Sequence, residues 1–464
     1  MTWIEGLLIF ISILFVYFLI ILILKKNDLF EKYNLGMMGP FLLVKTKKGL
    51  GFLKRLSVKK KFWKGYGNIA IILCFLLMIL MILFFVWNIN LLLDISPEQK
   101  ANLPGPEFAL VLPGINPILP LEYLLYIIIG LIVAMVVHEF SHGILSYAND
   151  LKVKSMGLAF LIIPTGAFVE PDEEQLKKTQ IVKRMRVFAV GPIANLVVVL
   201  VTLLIFSFVF MSAVQPGSGL TIYEVYEDSP AYDLGIRKGS ILTSFNDSDL
   251  TKISDQNERF ISYKIILNET KVNDTVNISF ITEGKIYNKQ ITLDDKFNYI
   301  ESYEDSNVSN IKGKGETGIF SFVAEKNNLD KLKNLPSSKE DIFFYISLPI
   351  MGYFDGYNPI ISPFTESYEI TGPLGVLPGE IFWGIVNLLY WIFWLNLMVG
   401  LFNVIPMLPL DGGYLFNDYL RLGIKKLKKG ISEERLERAV GNVSLVVSLI
   451  ILFVIIFPFI FKYI

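Results

Sequence analysis

The chain has 464 residues, of which 53% are hydrophobic and 14% aromatic, and its mean hydropathy is +0.51. That composition excludes an ordinary soluble enzyme, and the length suggests more than one domain. The 43 basic and 43 acidic residues cancel, so the total charge carries no nucleic-acid footprint, and a single cysteine, Cys74, excludes a disulfide framework or a multi-cysteine metal site.

Apolar runs long enough to cross a bilayer occur at 6–24, 69–87, 123–147, 187–211, 381–410 and 440–460. The first has no basic residues ahead of it and no small-residue cleavage site, so it reads as a span and not as a cleaved signal peptide. Lysine and arginine dominate 25–64, 152–186 and 421–430. The positive-inside rule makes those loops cytoplasmic and puts 88–122 and 212–380 outside. The expected topology is six spans with both termini outside.

The third run contains VVHEFSHGI (136–144), which holds both histidines of the chain, His138 and His142, with Glu139 between them. Positions i and i+4 of a helix share a face, so the two imidazoles can bind one metal ion in the HExxH arrangement. Zinc lowers the pKa of a bound water, and the glutamate on the neighbouring face can take its proton. The alternative is a helix with chance histidines satisfied by neighbours in a polar core, but ionisable groups in so apolar a stretch cost several kcal/mol each unless paired. At a rise of 1.5 Å per residue His138 lies roughly 20–25 Å into its span, in the cytoplasmic half.

Beyond that span, KVKSMGLAFLIIPTGAFVEP (152–171) reads as a hairpin dipping into the membrane, with a loop packed on the helices as its rival. The region 212–380 is richer in polar residues. Within it, GLTIYEVYEDSPAYDLGIRKGSILTSFND (219–247) resembles the centre of a PDZ domain, with Ser240 in place of the usual aspartate and no clear carboxylate-binding loop. TVNISFITE and KQITLDD are strands that complete it near Lys296. TGIFSFVAE is strand-like, but 297–350 holds no interpretable motif, and 361–380 reads as a gate or linker.

The fifth run is overlong and contains Pro406 and Pro409, so it is expected to break near its end. With two histidines and one distant cysteine, a third metal ligand must be a carboxylate. Glu170, Asp172, Glu173 and Glu174 look like a solvated loop. Asp411, in LFNVIPMLPLDGGY (401–414), is the better candidate, because the prolines and Gly412–Gly413 break the helix and aim the carboxylate. Its alternative role is that of an ordinary turn acid at the interface.

HEFSHG together with NVIPMLPLDGG closely resembles the site-2 proteases, polytopic zinc metalloproteases that cut membrane-embedded substrates. GAFVEPDEE (166–174) and GPIAN (191–195) match as well, while LPGINPILPL (112–121) and GPFLLVKT (39–46) are similar to the archaeal branch. The resemblance implies one zinc ion held by His138, His142 and Asp411, with Glu139 as the catalytic base. It makes Asn403 and Pro406 substrate-binding residues, and the strand edge Gly166, Ala167 and Phe168 the place where substrate is presented. Asn195 becomes a supporting polar group near the site, with helix packing beside Gly191 and Ala194 as its alternative role.

The expected fold is a polytopic α-helical membrane protein, with about six transmembrane helices, a membrane-associated β-hairpin and an inserted mixed α/β PDZ-like domain. Its expected parts are a membrane domain over 1–211, the PDZ-like domain over 212–296, an extension over 297–380 and a second membrane domain over 381–464. The expected function is that of an intramembrane zinc metalloendopeptidase of the cell membrane, with its PDZ-like region extracytoplasmic and its active site in the cytoplasmic half of the bilayer. Its expected partners are a transmembrane protein substrate, the lipid bilayer, and a peptide or protein ligand of the PDZ-like domain. An inert membrane scaffold is the main alternative, but a scaffold has no need of Glu139. A metal transporter would need ion-path residues in several spans, and only one cluster is present.

Overall fold

The computed structural model describes residues 3–96, 100, 103–109, 113–161, 163–253, 256–282, 284–299, 312–320, 325–354, 357–362 and 364–462. The chain forms two compact units, Met1–Thr202 with Trp391–Ile464, and Leu203–Tyr390. Among the described residues, five helical segments are long and apolar enough to cross a membrane: Lys60–Leu93, Leu121–Ala148, Ile181–Ala213, Gly379–Asn403 and Glu433–Phe461. The run expected at 6–24 lies within a further helix, Trp3–Lys26. The side chains of 1–10 are outside the described set, so the count of six remains an expectation.

The first unit contains the histidine helix, Leu124–Ala148, and the aspartate helix, Asp411–Leu427. The fifth run breaks as the prolines require: its helix ends at Asn403 and a new one starts at Asp411. Gly412 and Gly413 do not break a helix. They form the first turn of the new one, where a side chain on Gly413 would come within 2.6 Å of the Met407 carbonyl carbon, and one on Gly412 would strike the carbonyls of Val404 and Ile405. Two residues without a Cβ thus let the 404–408 segment fold back over the helix start that carries Asp411.

The 152–171 segment forms two antiparallel strands within a four-stranded sheet. Its strands are β1 (Leu35–Met38), β2 (Phe41–Thr46), β3 (Val153–Leu161) and β4 (Ile163–Pro171), in that order. GPFLLVKT therefore supplies a strand, with Lys45 opposite Gly157 and Gly157 opposite Phe168. Tyr17 ties helix Trp3–Lys26 to this sheet, donating its hydroxyl to Phe160 O at 2.8 Å and accepting from Leu42 N at 3.0 Å.

Two apolar clusters fix the helices that frame the site. Leu53, Ile144, Leu145, Val169, Val187 and Val190 join the histidine helix, β4 and helix Ile181–Ile205. Cys74, Met78, Met185, Ala189, Ile193, Val404 and Leu415 join helix Lys60–Leu93, helix Ile181–Ile205 and the aspartate helix. Between helices in a bilayer such contacts act through close packing and not through removal from water.

In the second unit a five-stranded sheet orders strands Lys285–Thr292, Thr275–Thr282, Ile241–Phe245 and Leu220–Thr221, with Ser248–Asp249 paired off to the side. Tyr263 and Leu267 from helix Gln256–Asn268 pack into its core with Leu242, Phe245 and Phe280. Ser229 caps the short helix Pro230–Asp233 by accepting from Tyr232 N at 3.2 Å. Ser240 accepts from Arg237 N at 3.0 Å, so the serine closes the turn for which an aspartate is usual. In the TGIFSFVAE segment, Ile319–Phe320 pairs with Glu224–Val225, and 321–324 lie outside the described residues.

Candidate metal centre

His138 and His142 point the same way from one helix, as their spacing demands, with ring centroids 4.8 Å apart. Asp411 Oδ2 lies 2.9 Å from His138 Nε2 and 3.1 Å from His142 Nε2. All three side chains are nearly inaccessible to solvent. His142 Nδ1 is 2.6 Å from the Val187 carbonyl oxygen, which can only accept. That contact assigns the ring proton to Nδ1 and leaves the lone pair of Nε2 facing Asp411. A lone pair and a carboxylate oxygen held this close in a buried pocket repel unless a proton or a metal cation lies between them, and a bound metal meets that need without charging the ring. Two imidazoles and one carboxylate fit zinc, which takes three protein ligands of this kind and keeps a fourth position open in catalytic sites.

Glu139 belongs to the same cluster, since one ligand atom each from His138, Glu139 and His142 lies within 4.8 Å of the others. Its Oε2 accepts from the main-chain N–H of Val169 on β4 at 2.8 Å. The N–H of Val169 therefore turns away from β3 and toward the histidine helix. Helix Ile181–Ile205 closes the opposite side through Gly191, where a Cβ would come 2.6 Å from His142 Nε2 and 2.8 Å from His138 Nε2.

The other residues singled out in the sequence fall into two groups. Gly166, Ala167 and Phe168 lie on β4, immediately before the residue that holds Glu139. Asn195 is one turn beyond Gly191 on the same face, fully buried, with neither amide atom hydrogen-bonded among the described residues. Asn403, by contrast, donates to Val399 O of its own helix at 3.0 Å, and Pro406 is buried in the break. Among the described residues neither is hydrogen-bonded to the histidines. Glu170 is held by Lys45 at 3.0 Å and Asp172 caps a helix, so neither serves the cluster.

Three features had no sequence signature. The Val187 carbonyl and the Val169 N–H are main-chain groups, which no residue type announces. The third is Asp418, fully buried on the aspartate helix, which accepts from Arg184 Nε at 2.9 Å and from Arg421 Nη1 at 3.0 Å. Arg421 in turn grips Glu437 through two bonds of 2.7 and 2.6 Å. This network joins helix Ile181–Ile205 to the aspartate helix and to Glu433–Phe461. Phe188 stacks on Tyr414 at 4.8 Å beside it.

The model of Peptidase family M50 matches residues 126–454. An uncharacterized protein of Methanocaldococcus jannaschii is 25% identical over 418 residues, 88% of this chain and 87% of its own. A provisionally named zinc metalloprotease of Clostridium acetobutylicum is 21% identical over 314 residues, 61% of this chain and 82% of its own. Among solved structures, the PDZ domain of an SdrC-like protein from Listeria monocytogenes is 24% identical and covers 22% of this chain and 87% of its own, with a TM-score of 0.17.

Proposed function

The chain belongs to peptidase family M50, the site-2 protease family, and from that premise we propose that it is an intramembrane zinc endopeptidase that hydrolyses peptide bonds of membrane-spanning substrates. The observation that carries this reading is the convergence of Asp411 Oδ2 on both imidazole Nε2 atoms from a remote part of the chain. His138, His142 and Asp411 would hold the ion. Bound there, zinc supplies an activated water and a Lewis acid for the scissile carbonyl.

The chain's own groups do the rest. Glu139 takes the proton of the attacking water at Oε1, while the Val169 bond steadies Oε2, and then passes that proton to the leaving amine. The His142 Nδ1–Val187 contact keeps the ring in the tautomer that presents Nε2. Substrate adds as an extended strand along β4 at Gly166, Ala167 and Phe168, a mode supported by the position of β4 at the end of the sheet order. This solves the problem of a helical substrate, whose backbone amides are otherwise hidden. Asn403 and Pro406 contact the bound chain, and Asn195 offers its unsatisfied amide near the site. The cytoplasmic-side position of the site, and an extracytoplasmic PDZ-like domain over 212–296 that binds peptides, belong to the same reading.

The test is zinc content and cleavage of a transmembrane substrate in vesicles, for the wild type, Glu139→Gln and Asp411→Asn. Glu139→Gln should keep zinc and lose cleavage, and Asp411→Asn should lose both. A wild type without metal, or a Glu139→Gln variant that cuts as well as the wild type, overturns the mechanism and favours a scaffold.

A further inference from the structure

Helix Lys339–Phe354 belongs to the segment in which the sequence offered no motif. After Lys339, Glu340 and Asp341 it runs as IFFYISLPIMGYF, thirteen residues without a charge. At 1.5 Å per residue that stretch is about 20 Å long, too short for a hydrocarbon core of about 30 Å. Apolar segments of this length are either core helices, covered on all sides, or helices that enter a membrane without crossing it.

Among the described residues, this helix is covered on one side only. Phe344, Tyr345, Ser347, Leu348 and Pro349 are buried. Ile342, Phe343, Ile350 and Tyr353 are 51%, 72%, 39% and 53% exposed. At 100° per residue those four fall within an arc of about 100°, so they form one continuous apolar stripe. A soluble surface rarely exposes so continuous an apolar stripe to water.

The buried side identifies what lies beyond the exposed one. Tyr345 OH is 2.9 Å from Ser207 Oγ, and Tyr390 OH donates to Tyr345 O at 2.8 Å. Ser207 and Tyr390 lie inside the candidate spans Ile181–Ala213 and Gly379–Asn403. The helix is thus bonded to the flanks of two candidate membrane spans, and Phe208 and Val209 of the first are themselves exposed apolar residues. We propose that helix Lys339–Phe354 is inserted into one leaflet without crossing it, with Ile342, Phe343, Ile350 and Tyr353 against lipid acyl chains and its charged first turn at the headgroups. The lipid surface is its partner because the stripe continues that of the spans to which the helix is bonded. Lys339, almost fully exposed, marks the aqueous end.

The test uses the full chain in vesicles, with Cys74→Ala as background and an environment-sensitive fluorophore on Phe343→Cys, Tyr353→Cys or Lys339→Cys. Phospholipids brominated along the acyl chain should quench the labels at 343 and 353 strongly and the label at 339 weakly, with iodide showing the reverse order. Two labelled positions on the stripe guard against one substitution that fails to fold. Iodide quenching at 343 and 353 overturns the proposal by placing the stripe in water. Protection from both quenchers also overturns it, since a second copy or another protein then covers the stripe.

Discussion

Glu139 Oε2 accepts a hydrogen bond from the Val169 main-chain N–H at 2.8 Å. That bond joins the helix carrying both histidines to the last strand of the sheet. The same N–H that steadies the base belongs to the strand proposed to receive substrate, so positioning of the base and capture of the substrate meet at one residue.

Val169→Pro removes that donor. Because the N–H serves Glu139 and not the β3 ladder, proline is tolerated there as it is on strand edges. The expected result is unchanged zinc content with kcat lowered on the order of 10²-fold, the usual penalty for a misplaced catalytic group. Single-turnover cleavage beside metal analysis checks it, and unchanged kcat removes Val169 from the account.

Gly191→Ala should disturb the metal site despite improving helix propensity. Alanine favours a helix over glycine by about 1 kcal/mol, yet its Cβ would come 2.6 Å from His142 Nε2. Zinc affinity should fall, and the thermal midpoint of the metal-free protein should not rise, because the overlap is with imidazole atoms present with or without the ion. Unchanged zinc affinity would mean that the helices shift apart freely at this point.

Chelation should abolish cleavage, and added zinc should restore it. It should also lower the midpoint of thermal unfolding, since a ligand bound to the native state stabilises by mass action. The Asp411→Asn variant should show a smaller midpoint shift between metal-free and zinc-loaded samples than the wild type.

Asp418→Ala leaves Arg184 and Arg421 without the carboxylate that both now share. Removing one member of a buried ion pair costs about 3–5 kcal/mol. The detergent-solubilised variant should therefore melt well below the wild type, with Asp418→Asn between them.

Glu170 tests the sheet by pH. Burial disfavours its charge, but the Ser155 hydroxyl and the Lys45 ammonium outweigh burial and hold its pKa below the ordinary 4.5. A depressed pKa stabilises the fold above that ordinary value, and the contribution is lost as the pH falls through the folded-state pKa. The wild type should melt above Glu170→Gln at neutral pH, and the gap should close in acid. A gap independent of pH would assign the difference to packing.

The sequence by itself determined what is local or repetitive. The apolar runs announced helices fit for a membrane. One helical turn between His138 and His142 put two imidazoles on one face, and the proline-broken end of the fifth run pointed to Asp411. The PDZ-like turn around Ser240 and the strand character of TVNISFITE and KQITLDD were legible because a two-residue period and a tight turn are written in neighbouring residues, while their pairing came from the structure. Tertiary structure alone decided the rest. Gly412 and Gly413 begin a helix because the chain before them folds back over it. GPFLLVKT becomes a strand between β1, its hairpin partner, and β3, which comes from a remote part of the chain. Val187, Val169 and Asp418 contribute through main-chain groups and a buried carboxylate whose partners are far away in the chain. Spacing within one helix is set by its own geometry, whereas contacts between segments depend on how side chains fill the space between them, and no local period records that.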